Sequence, residues 1–215
     1  MPNPYMMSSR LWREMNLKVE LMAKLILIRP YAKKRTEQLA QLGYVALAIN
    51  MYGKGIRPQN PKKSVAQAVI SRQDRKLTCD RTTARLQVLQ QNTLADLKRI
   101  AAIGYCFGDG TVLELALTGA GIAGVVSFHG NLDTPNASDA KNIKAKVLVL
   151  HRAKDPFLPK EQVKVFKTEM QQAKVNWQLV SYPGAVHSFT NPESRNDSSK
   201  GAAYNKDANE RSWRA

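Results

Sequence analysis

The chain has 215 residues, 43% of them hydrophobic, which is enough for one well-cored domain and too few for two comfortable ones. No run approaches the roughly 20 apolar residues of a bilayer crossing, and the opening MPNPYMMSSRLWREM lacks the apolar core of a secretory leader, so a soluble cytoplasmic protein with no membrane partner is expected. The net charge of +16 suggests an anionic partner, but the Lys and Arg residues are scattered without a long basic run or interleaved aromatics, which favours a solvated basic surface over a specific nucleic-acid groove.

Residues 1–24 read as an atypical N-terminal segment and 25–215 as a single domain. Leu25, Ile26, Leu27 and Ile28 predict the first buried strand, followed by a helix over 33–42 with Leu39 and Leu42 on one face and a stop at Gly43. Residues 44–49 predict the second strand. The polar, basic stretch 64–97 predicts helix, broken once at 78–83 where β-branched residues cluster. Within it Arg81 and Arg85 fall one turn apart; a solvated face is the better reading, an anionic substrate the other.

A third strand is expected over 100–106, ending in Gly104-Tyr105-Cys106-Phe107-Gly108, with helical character resuming by Thr111. Residues 122–128 and 145–150 read as two more buried strands, and 159–173 as an amphipathic helix with Val163, Phe166 and Met170 at spacings of three and four. Residues 177–182 complete the sheet, and the polar stretch 191–215 carries a weak helix from about Lys200. This alternation predicts an α/β three-layer sandwich with a mostly parallel central sheet, reduced at its N-terminal side.

Gly104-x-Cys106-x-Gly108 has the spacing of a nucleophile elbow, with the nucleophile in a strained turn between strand and helix. Side chains at the two glycines would collide with neighbouring elements, and a helix starting at Phe107 would aim its N–H groups at the sulfur, favouring thiolate. Asp155 lies past the strand at 145–150 and His187 past the strand at 177–182, so the order nucleophile, acid, histidine is that of an α/β-hydrolase. Three strand ends can deliver these groups to one place. His187 would shuttle the proton, Asp155 would hold its tautomer, and Cys106 would form the acyl intermediate.

Ile103 to Gly108, Leu150-His151 with Asp155-Pro156-Phe157, and Ala185 to Thr190, together with Gly43 to Ala48 and Met51-Tyr52-Gly53, resemble in order the signature blocks of the dienelactone hydrolase family. The resemblance covers most of the chain from about Tyr31. It implies an α/β-hydrolase fold and cleavage of a small ester or lactone by a Cys106, Asp155 and His187 triad, with no metal and no organic cofactor. The backbone N–H groups of Phe107 and, at the end of the first loop, Tyr31 are the oxyanion-hole candidates. The chain departs from the family where a His-Glu loop with Trp-Gly is replaced by Ile28-Arg29-Pro30-Tyr31, where Asp109 stands for a glycine, and at both ends. Pro30 has no N–H to offer, and Asp109 in the first turn of the helix would oppose the thiolate.

Two other readings stand beside the hydrolase: a catalytically impaired remnant that keeps the fold, and a basic polyanion-binding protein. The two cysteines, Cys79 and Cys106, show no disulfide framework and read as thiols, Cys79 as a bystander. His129, at a strand end, reads as a packing residue, with pocket lining as the alternative; His151 sits on a core strand and reads likewise, and neither is a metal ligand, since their spacings match no metal motif. Substrate identity and oligomeric state are not written in the sequence.

Overall fold

Strands β1 (Val19–Lys24), β2 (Val45–Ile49), β3 (Ile100–Tyr105), β4 (Gly124–Phe128), β5 (Lys146–Arg152) and β6 (Trp177–Tyr182) form one all-parallel sheet in the order β2-β1-β3-β4-β5-β6. The computed structural model describes residues 19–24, 30–53, 55–58, 60–154, 158–194 and 196–215, the first strand by its backbone alone. The chain leaves β1 outward to β2, then crosses back to place β3 on the other side of β1. Connections diverging from this point open a crevice at the carboxyl ends of β1 and β3, where open α/β sheets place their sites.

Helices α1 (Pro30–Gln41), α2 (Pro61–Gln73), α3 (Arg75–Gln90), α4 (Phe107–Leu117), α5 (Lys160–Gln172) and α6 (Lys206–Arg214) cover the two faces. On one face Ile100, Ala102, Val125 and Val147 pack with Leu86 and Leu89 of α3, Val112 and Leu115 of α4, and Phe166 and Met170 of α5. On the other, Ile103, Tyr105, Val126, Phe128, Leu148 and Leu150 pack with Leu39 of α1 and Ala208 of α6. Alternate residues of one strand thus serve opposite layers, and β3 and β4 are buried throughout, as their unbroken apolar runs require.

The expected strands after the first, the helix at 159–173 and the three-layer architecture are all present. The strand expected at Leu25 to Ile28 lies outside the described residues; the strand that is described, Val19–Lys24, falls within the stretch read as atypical and sits at the heart of the sheet. The long polar helix breaks at Asp74 and not at 78–83. Asp74 accepts from Leu77 N at 2.8 Å, capping α3. Thr78 and Thr82 are buried, their hydroxyls donating to Ser71 O and Thr78 O at 2.7 Å each, so the β-branched cluster is satisfied inside the helix pair. The terminal helix begins at Lys206. Among the described residues no helix is long and apolar enough to cross a membrane.

Candidate active site

Cys106 is the single residue between β3 and α4, at φ 56° and ψ −115°, a conformation that side chains rarely adopt. Its N–H donates to Phe128 O at 3.1 Å, tying the turn to β4. A Cβ on Gly104 would lie 2.2 Å from Gly108 O, so this strand end accepts glycine alone. No side chain caps α4, which leaves its first-turn amides and positive dipole end at the turn that carries the sulfur.

Three groups converge on that sulfur. His129 Nδ1 and Ser188 Oγ each lie 3.5 Å from Cys106 Sγ. A ring nitrogen of His187 completes a cluster with Cys106 and His129 in which the donor atoms all lie within 4.8 Å of one another. The His187 loop is pinned by the C-terminal segment: His187 N donates to Gly201 O at 3.1 Å and Ala203 N to His187 O at 3.0 Å. Asp155, the expected third member, lies outside the described residues.

Behind His129 runs a buried hydrogen-bond chain whose polarity is set at its far end. Arg35 Nε, which can only donate, donates to the Tyr31 hydroxyl at 3.0 Å, and that hydroxyl donates to Thr190 Oγ1 at 2.7 Å. Thr190 Oγ1 lies 2.8 Å from His129 Nε2. With the Thr190 hydroxyl as donor there, the imidazole proton sits on Nδ1, pointing at Cys106 Sγ. Arg35 is held by Asn209 of α6 and lies over the Trp213 ring, 4.6 Å from its centroid.

Burial opposes a charged sulfur, but His129 and His187 outweigh it and hold the Cys106 thiol well below its ordinary value. His129 itself is pushed down to about 4 by burial. At neutral pH it is therefore a neutral imidazole. Tyr31, expected to supply a backbone N–H, is placed on the first turn of α1 with its ring edge-on to Tyr105 and its phenol in the chain just described. Phe107 opens α4, so its N–H is one of the uncapped amides.

Asp109 is fully buried under Gly130, where a Cβ would lie 1.6 Å from Asp109 Oδ2. Burial pushes its carboxyl up to about 8, although Ser127 and Arg152 pull the other way. At neutral pH the group is mostly the uncharged acid, so its expected opposition to the thiolate is largely absent. Arg152, buried beside it, donates to Gly130 O at 3.0 Å and is brought down to about 10, chiefly by burial.

A shallow, half-open cleft with an interior of only about 40 Å³ leads away from the sulfur past Phe107, Thr78, Glu114, Arg72 and Arg75. Arg75 is clasped by Glu114 and Asp133, while the Arg72 guanidinium lies 5.5 Å over the Phe107 ring. The arginines singled out in the sequence lie elsewhere: Arg81 donates to Met51 O at 2.8 Å, and neither it nor Arg85 lines the cleft. His151 faces a different hollow beside Lys154 and Lys160. His129, read in the sequence as packing with pocket lining as the alternative, is packed in the core against Tyr105 and Phe189 and also reaches the sulfur. The available signal was its place, just past the strand that neighbours β3.

Comparison with known proteins identifies the family and the fold. The model of the dienelactone hydrolase family matches residues 29–215. The solved structure titled a dienelactone hydrolase-like promiscuous phosphotriesterase from metagenomic libraries superposes with a TM-score of 0.84 at 37% identity, over 91% of this chain and 81% of that one. A Bradyrhizobium protein named "Probable 2-oxo-3-(5-oxofuran-2-ylidene)propanoate lactonase" is 29% identical over 172 residues, 75% of this chain and 68% of its own. An uncharacterized protein of Caenorhabditis elegans is 31% identical over 137 residues, 63% of this chain and 87% of its own.

Proposed function

Because the chain belongs to the dienelactone hydrolase family, a family of hydrolases, we propose that it cleaves small esters or lactones through an acyl-enzyme on Cys106. The observation that carries this is the strained turn that presents the sulfur to His129, His187 and Ser188. The Cys106 thiolate attacks the substrate carbonyl, and the developing oxyanion is met by the Phe107 N–H at the head of α4 and by the Tyr31 N–H at the head of α1. His187, protonated and oriented by Asp155, gives its proton to the departing alkoxide. It then takes a proton from the water that hydrolyses the thioester. His129 donates to the sulfur throughout and stays neutral.

Arg72 at the cleft wall favours substrates that carry an acid group, since the cleft already matches Arg75 with Glu114 and Asp133. The likeness to the metagenomic enzyme adds phosphotriesters to the substrates worth assaying, whose phosphoryl oxygen would meet the same amides. The remnant reading drew on the replaced His-Glu loop and on Asp109, and an uncharged Asp109 weakens the second of these grounds.

The test is a rapid-quench reaction with an activated aryl ester of a short acid. A burst of one equivalent of phenol, with the acyl mass on the Cys106 peptide, is expected. Equal turnover by wild type and Cys106→Ala would sink the proposal.

A further inference from the structure

We infer that Cys106, His129 and His187 form a chelating site for a soft divalent transition metal, Zn2+ foremost, and that the bound metal switches the site off. No single segment contains the set. The ligands come from the ends of β3 and β4 and from the loop after β6.

Zinc binds thiolate at about 2.3 Å and imidazole at about 2.05 Å in a tetrahedron, which requires sulfur and nitrogen to stand about 3.6 Å apart. Cys106 Sγ and His129 Nδ1 are 3.5 Å apart. The third donor, on His187, lies within 4.8 Å of both and closes the triangle by a shift of roughly an ångström. His187 is half-buried on the loop after β6, its backbone held by Gly201 and Ala203. The donor set of one thiolate and two imidazoles contains no carboxylate, which selects zinc or copper over magnesium or calcium.

A metal-binding histidine needs its other nitrogen engaged, and here Thr190 does it. Thr190 Oγ1 sits 2.8 Å from His129 Nε2 and has a second lone pair to accept with. On binding, the Cys106 thiol proton leaves to solvent. The imidazole proton moves from Nδ1 to Nε2, where it donates to Thr190. Cys106 and Phe107 line a cleft open to water, through which a metal can reach the site. A sulfur lone pair bonded to the metal no longer attacks a carbonyl.

The switching half rests on the hydrolase reading, whereas the site itself does not. Chelator-stripped protein is titrated with Co2+, and a thiolate-to-cobalt charge-transfer band saturating at one equivalent is expected. The band should vanish in Cys106→Ala, persist in Cys79→Ala, and need about tenfold more metal in Thr190→Val. His129→Gln and His187→Gln should each weaken binding by more than that; because His129 is in the core, His187→Gln decides the matter if the other variant does not fold. Absence of the band, or a band that survives Cys106→Ala, overturns the site. Equimolar Zn2+ should abolish ester turnover, with full recovery on adding EDTA; turnover undiminished by bound zinc overturns the switch. A cobalt band in a protein with no esterase activity would refute the hydrolase and leave the site standing.

Discussion

The two cysteines of this chain share a thiol and almost nothing else. Cys79 lies on α3 with its sulfur 3.9 Å from Glu114 Oε2, and burial together with that carboxylate pushes it up to about 11. Cys106 is more deeply enclosed, yet two imidazoles drive it well below the ordinary value. Burial by itself therefore does not decide the state of a thiol here. The sign of the neighbouring groups decides it, and that sign is set by which strand ends and helices the fold brings together.

The largest expected effect removes one sulfur at a time. Cys106→Ala should cut ester turnover by at least about a thousandfold, while Cys79→Ala should leave it within about twofold; steady-state rates on one ester compare them, and a comparable loss in both would dissolve the distinction. Next, Gly104→Ala drives a Cβ into Gly108 O and should cost about 3 kcal/mol, roughly 6–12 °C in Tm, by calorimetry. A Cβ on Gly110 meets nothing, so Gly110→Ala should not lower Tm.

A smaller effect tests the chain behind His129. Thr190→Val removes the hydrogen-bond partner of His129 Nε2, and the apparent pKa of Cys106 should rise by about half to one unit, the worth of one hydrogen bond. Alkylation rate against pH reads it, and Cys79 in the same sample should not move.

The last effect is read in stability against pH and belongs to Asp109→Asn. The Asp109 carboxyl sits at about 8 in the fold against 3.8 for the ordinary group. The unfolded chain thus loses this proton first, and the group's contribution to stability is full below the ordinary value and declines as pH rises toward 8. The asparagine variant escapes that decline, so its Tm should gain on wild type between pH 4 and pH 8, by about 2–4 °C per kcal/mol recovered. A gap that narrows with rising pH contradicts the burial account.

What the sequence made legible divides along the same lines. The Cys106 junction could be read directly because its geometry is local: two glycines, an apolar strand before and a helix after fix the turn within a dozen residues. The parallel sheet was legible from Val, Ile and Leu runs of strand length, because buried strands need both faces apolar. The helix break was misplaced because β-branched propensity at 78–83 yielded to packing, with Thr78 and Thr82 buried and bonded, while the capping carboxylate of Asp74 ended one helix and began the next. His129 was taken for a packing residue because its role depends on Thr190, Tyr31 and Arg35, residues distant in sequence that only the folded sheet aligns. The polar C-terminal stretch showed only a weak helix in the sequence, yet its backbone holds His187 and its helix anchors Arg35. Asp109 was read as a charge because its burial, not its position in the helix, determines its protonation.

The most direct test labels both thiols of the wild-type protein with iodoacetamide across the pH range and resolves the Cys106 and Cys79 peptides by mass. Cys106 should react as a thiolate already at neutral pH, with an apparent pKa well below 9, while Cys79 should gain reactivity only toward about 11. Two superimposable profiles, or a Cys106 that reacts only above pH 9, would contradict the account.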